Sequence, residues 1–133
     1  MMTKAFAKLD DNNKVIHIHT IPDSWDDGTD TKGQNYLRKL YGDPTGVYKR
    51  TDPRTVAGTH IDGGTPYRKN YAGKGMTYDP VRDAFLRNQS FPSWILNEDT
   101  GDYEAPIPPP NGFPTQKELY DWNEVEKKWE LRN

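Results

Sequence analysis

The sequence predicts a mainly β fold: a small hairpin-built β domain with one short helix, long Pro- and Gly-rich connectors and a C-terminal hairpin arm. Three observations predict it. A loose motif, an apolar residue followed by an Asp- or Asn-led polar turn and a second apolar residue, recurs along the chain. The segments between copies carry Gly and Pro without apolar periodicity. Helical spacing is confined to two short stretches.

The first copy is Leu9-Asp10-Asp11-Asn12-Asn13-Lys14-Val15. Asn and Asp tolerate left-handed backbone and bond their own main chain, so this polar centre predicts a hairpin tip. Phe6, Lys8, Val15, His17 and His19 alternate around it in a stretch rich in Val and Ile, as strands require. An acidic connector follows, with Asp23, Asp26, Asp27 and Asp30 around Gly28. In residues 32–41, Tyr36, Leu37, Leu40 and Tyr41 fall at i, i+1, i+4 and i+5, and Gly42 stands ready to end a short amphipathic helix before Asp43-Pro44. Residues 51–66 hold Gly58, Gly63 and Gly64 and read as a connector.

The second copy, Tyr78-Asp79-Pro80-Val81-Arg82-Asp83-Ala84-Phe85, predicts another hairpin. The third runs from Leu96 through Asn97-Glu98-Asp99-Thr100-Gly101-Asp102 to Tyr103-Glu104, with Trp94 and Leu96 expected on one strand face. The fourth runs from Trp122 through Asn123-Glu124-Val125-Glu126-Lys127-Lys128 to Trp129-Glu130 and shares the spacing Asn-Glu-x4-aromatic-Glu with the third. Between them Pro108-Pro109-Pro110 predicts an extended spacer. Thr115-Gln116-Lys117-Glu118 has capping-box spacing for a short helical turn. The organisation expected is a compact β domain over 1–106, a proline-rich spacer over 107–114 and a hairpin arm over 115–133.

Composition narrows the function. At 133 residues the chain suits one domain with extended parts. Only 32% of residues are hydrophobic and the mean hydropathy is -1.06, yet 12% are aromatic, so the apolar area sits in a few large rings and the core is thin. Stability borrowed from neighbours in an assembly is the expected remedy. The net charge of -2 arises from 18 basic and 20 acidic residues mixed along the chain, unlike the basic footprint of a nucleic-acid binder. Without cysteine there is no disulfide framework, thiolate metal site or thiol nucleophile. The first nine residues lack an apolar run of signal-peptide length, and no stretch approaches the roughly 20 residues that span a bilayer. Neither nucleic acid nor membrane is expected as a partner.

Sites of chemistry are sparse. His17 and His19 share a strand face, a spacing that metal sites use with a third ligand such as His60, but two imidazoles on a half-buried strand are the commoner outcome. The acidic loop around Gly28 offers clustered oxygens, yet it lacks the alternating ligands and distal Glu of a calcium loop, so a solvated loop is expected. Ser24, Ser90 and Ser93 lie outside any Gly-x-Ser-x-Gly context. The glycines of Asp62-Gly63-Gly64 and Ala72-Gly73-Lys74-Gly75 match neither a Walker loop nor a dinucleotide fingerprint. The expectation is no catalysis, no metal and no cofactor. Trp94, Tyr103, Tyr120, Trp122 and Trp129 admit a platform that stacks on sugar rings, weighed against cross-strand pairs that stabilise their own hairpins.

The run Tyr67-Arg68-Lys69-Asn70-Tyr71-Ala72-Gly73-Lys74-Gly75-Met76-Thr77-Tyr78-Asp79-Pro80-Val81-Arg82-Asp83-Ala84-Phe85 resembles a family of small virion-associated proteins widespread in marine phages, notably cyanophages. Phe91-Pro92-Ser93-Trp94-Ile95-Leu96-Asn97-Glu98, then Tyr103-Glu104-Ala105-Pro106, then Tyr120-Asp121-Trp122-Asn123-Glu124 and Trp129 follow in that family's order, and Phe6-Ala7-Lys8-Leu9-Asp10-Asp11-Asn12 is also similar. Relatives often carry Cys-Leu-Trp-Glu-Ala-Pro where this chain has Gly101-Asp102-Tyr103-Glu104-Ala105-Pro106, so aromatic character is kept. The resemblance implies phage origin and a structural role in the virion, with assembly in the host cytoplasm, and it carries no catalytic residue.

The function expected is therefore a bacteriophage capsid decoration or cement protein that binds the major capsid protein or other virion proteins and self-associates within the particle. A tail or neck component, an adaptor or fibre-associated protein, is the alternative, and a glycan-binding module the third. The expected interface residues are Trp94, Tyr103, Trp122, Trp129, Tyr120 and Phe85, because aromatic anchors dominate interface energetics.

Overall fold

A computed structural model describes residues 3–110 and 120–132. The fold is mainly β, a set of antiparallel hairpins and small sheets with one short helix. The chain divides into two compact units, Met1–Asn88 with Glu98–Asp102, and Gln89–Asn97 with Tyr103–Asn133.

The first unit is built on strand β1 (Thr3–Leu9), which pairs antiparallel with β2 (Val15–Pro22) on one side and β3 (Val47–Thr51) on the other. Asp10 makes the β1–β2 turn: its Oδ1 accepts the amides of Asn12 (2.8 Å) and Lys14 (2.9 Å), and Asn13 takes a left-handed φ of 62°. Being central, β1 is buried on both faces. Phe6 packs with Ile21, Leu37 and Tyr48, whereas Ala7 and Leu9 pack with Val15, Ala72, Tyr78 and Phe85. The thin apolar content of the sequence thus suffices for two small cores that share one strand.

Helix α1 (Asp30–Tyr41) starts two residues before the predicted stretch and ends at Gly42, whose φ of 62° sets the left-handed cap. It seats Leu37 in the core and also closes the outer edge of β3. The Tyr48 amide donates to Gln34 Oε1 (3.0 Å) and the Arg50 amide to Asp30 Oδ1 (2.7 Å), so helix side chains occupy donors that an edge strand would otherwise leave open.

Two hairpins complete this unit. Strands β4 (Thr55–Val56) and β5 (Thr59–His60) turn through Ala57 and Gly58, both at positive φ (49° and 83°), where the sequence reading has only a connector. Strands β6 (Thr77–Asp79) and β7 (Ala84–Leu86) form the predicted second hairpin, with Asp79 Oδ1 accepting the amides of Val81 (2.9 Å) and Arg82 (3.1 Å). Buried Asn70 stitches the loops: it accepts the Ala57 amide (3.0 Å) and donates to the carbonyls of Phe85 (3.2 Å) and Thr100 (3.3 Å).

The second unit holds the remaining predicted hairpins, β8 (Ile95–Leu96) with β9 (Tyr103–Glu104) and β10 (Tyr120–Asn123) with β11 (Lys128–Leu131). Trp94 precedes β8 rather than sharing its strand with Leu96. The division into units differs from the expected boundary at 106, because the segment before β8 packs with the C-terminal hairpin. The proline run is likewise no free spacer at its start: the Trp129 indole donates to the Ile107 carbonyl at 2.8 Å. The capping-box turn expected at Thr115 lies outside the described residues.

Candidate functional site: an aromatic groove

In the second unit β10 and β11 pair with Trp122 directly opposite Trp129, ring centroids 5.3 Å apart and close to edge-on. Trp94 completes a three-indole cluster at 6.3 Å from Trp122 and 6.1 Å from Trp129, and Phe91 flanks it at 5.4 Å. Cross-strand aromatic pairs of this kind do for a small hairpin unit what a larger aliphatic core does elsewhere.

Glu124 fastens the cluster. Its carboxylate accepts from Ser93 Oγ (2.6 Å), the Ser93 amide (3.2 Å), Trp122 Nε1 (2.9 Å) and Lys127 Nζ (3.0 Å). The bonds from Ser93, Trp122 and Lys127, in that order of weight, hold its pKa down to about 2. Asn97 Nδ2 donates to Glu104 Oε1 across the β8–β9 hairpin at 3.1 Å.

These elements frame a groove of about 500 Å³ lined by Trp94, Tyr103, Glu104, Ala105, Pro108, Pro109 and Trp129. Three of the six expected interface residues, Trp94, Tyr103 and Trp129, meet there. Tyr120 is half-buried on β10. Trp122, 8% exposed, belongs to the interior of the unit. Phe85, 0% exposed, lies in the first unit's core with Leu9, Val15 and Tyr78 and presents no contact surface; its place on the inner face of β7 was not distinguishable from an outer one by spacing alone.

The histidines and the acidic loop have other work. His17 and His19 do share a face, with centroids 4.4 Å apart, and His19 lies 4.8 Å from Tyr41. His60 is engaged elsewhere, its Nδ1 accepting the amides of Asp62 and Gly64 and its Nε2 3.3 Å from Asp52. Among the described residues no three His, Cys, Asp or Glu side chains gather as a ligand set. The loop around Gly28 is not solvated throughout. Asp26 pairs with buried Arg50 (3.2 Å), and Asp30 takes a two-point bond from Arg68 (3.0 and 2.7 Å).

Arg68 is the polar hub that the sequence reading missed. Its side chain is 13% exposed and also donates to the Arg50 carbonyl (2.8 Å) and, through Nε, to Asp83 (2.8 Å). Burial opposes its charge, but the bonds to Asp83 and Asp30 prevail and hold its pKa above the ordinary value. Arg50 lies 4.3 Å from the Tyr67 ring centroid, so its cation sits between an aromatic ring and the Asp26 carboxylate.

Two hairpin turns expose apolar side chains. Val81, between β6 and β7, and Val125, between β10 and β11, are each 91% exposed. No helix among the described residues is long and apolar enough to cross a membrane. Comparison with protein-family models, with curated proteins and with solved structures gave no match.

Proposed function

We propose that this chain is a non-catalytic structural protein of a bacteriophage particle, a capsid decoration protein that binds the major capsid protein. The observation that carries the reading is the pair of valines at hairpin tips. Turns favour polar residues, so this reading takes the β-branched apolar side chains held in water at these two tips as the points of contact with a partner. The half-buried aromatic groove adds a second apolar surface, and the resemblance of residues 67–133 to small virion proteins of marine phages supports the same setting.

The test is co-sedimentation of the purified full chain with phage shells that lack it. The reading expects saturable binding to the shell, weakened by Val81→Asp and by Val125→Asp while the far-ultraviolet circular dichroism of both variants stays unchanged. Binding to isolated tails or necks in place of shells moves the protein to those structures, and binding to no particle component refutes the virion role.

A further inference from the structure

We propose that the groove of the second unit receives the guanidinium of an arginine from a partner protein, seated among Trp94, Tyr103 and Trp129 with Glu104 as its counter-charge. The proposal rests on the reading that this chain works by contact with another protein, and it names the chemistry of that contact.

The electrostatics of the lining point to a cation. Three aromatic residues and one carboxylate line the groove, and no Lys or Arg does so among the described residues. Aromatic faces and a carboxylate all present negative potential, so together they favour a cation with a flat, weakly hydrated surface. A sugar needs convergent donors as well as acceptors, and these are scarce here. The Trp129 indole N–H is spent on the Ile107 carbonyl, and Trp94 Nε1 is shielded from solvent with no acceptor among the described residues. The prolines on the opposite wall donate nothing.

The first unit already contains such a site in filled form. There the Arg50 guanidinium sits 4.3 Å from the Tyr67 ring centroid with Asp26 at 3.2 Å. Tyr103 and Glu104, an aromatic and an acidic residue, both line the groove, and the chain supplies no cation to it among the described residues. At about 500 Å³ the space accepts an arginine side chain with part of its backbone.

The experiment follows the indole N–H signals of the isotope-labelled full chain by NMR while acetyl-Gly-Arg-Gly-amide is added. Acetyl-Gly-Gly-Gly-amide, tetramethylammonium chloride and maltose serve as separate probes. The proposal expects saturable shifts of the Trp94 and Trp129 signals with the arginine peptide and none with the glycine peptide. Glu104→Gln, which keeps an acceptor for Asn97, should weaken binding about two- to fivefold. Tyr103→Leu, which keeps apolar bulk without the ring, should weaken it about three- to tenfold. An arginine peptide no better than the glycine peptide overturns the proposal. So does saturation by maltose or tetramethylammonium alone, which would make the groove a sugar or alkylammonium site. A chain that binds arginine but no particle component refutes the virion reading and leaves the groove assignment standing.

Discussion

The ring of Phe6 lies against Gly33 of α1, so close that a Cβ added to the glycine would overlap the ring carbons. A glycine inside a helix usually costs stability, and replacing it with alanine usually gains about 1 kcal/mol. Here the ring is fully buried and has nowhere to retreat. Gly33→Ala should therefore destabilise the protein by about 1–2 kcal/mol net, because overpacking a core costs about 1–3 kcal/mol. Urea unfolding checks this, and Phe6→Leu added to Gly33→Ala should recover part of the loss. A higher unfolding midpoint for Gly33→Ala alone would mean that the helix does not press on Phe6.

Arg68 joins the first turn of α1, strand β3 and the β6–β7 turn through Asp30, the Arg50 carbonyl and Asp83. Removing one partner of a largely buried ion pair leaves the other uncompensated. Arg68→Ala should cost about 2–3 kcal/mol, the upper range being reduced because Asp83 is substantially exposed. Arg68→Lys should recover little, since an ammonium cannot reproduce the two-point bond to Asp30. Thermal unfolding of both variants tests the distinction; a lysine variant equal to the parent would show that charge alone suffices.

Glu124 gives the second unit an acid-sensitive clasp. Its folded pKa of about 2 lies below its ordinary value of 4.5, so it contributes stability that is fully present above 4.5 and is lost as pH falls toward 2. Tryptophan fluorescence should report loosening of the three-indole cluster across that window. Glu124→Gln should flatten the pH dependence while lowering stability at neutral pH.

His19 acts in a higher window. Burial first, then the neighbouring His17 and Lys8, push its pKa below 6.5. The unfolded chain then binds the proton more readily, so this contribution is present above 6.5 and is lost as pH falls through the folded value. Titration by NMR should place His19 below 6.5, and a value at or above it would contradict the packing of its ring beside Tyr41 and Tyr48.

What the sequence made legible is local. A hairpin announces itself where Asp or Asn closes its own turn within a few residues, as Asp10, Asp79 and Asn123 do. The helix is legible through Leu37 and its Gly42 stop. The β4–β5 hairpin escaped notice because Ala57, not Asn or Asp, takes the first left-handed turn position. The Arg68 hub escaped it because Arg68 and Asp30 lie far apart in the chain and nothing in the spacing of either names the other. The groove was half legible: Trp94, Tyr103 and Trp129 were singled out as contact residues, but Phe85 has the same spacing and is core.

The most direct test of the proposed virion role is cryo-electron microscopy of the phage particle proposed to carry this chain, tracing the chain and counting its copies. The account predicts hundreds of copies on the shell, with Val81 and Val125 against the major capsid protein. Density for the chain confined to the neck or tail would contradict the decoration role, and its absence from the particle would contradict the virion role altogether.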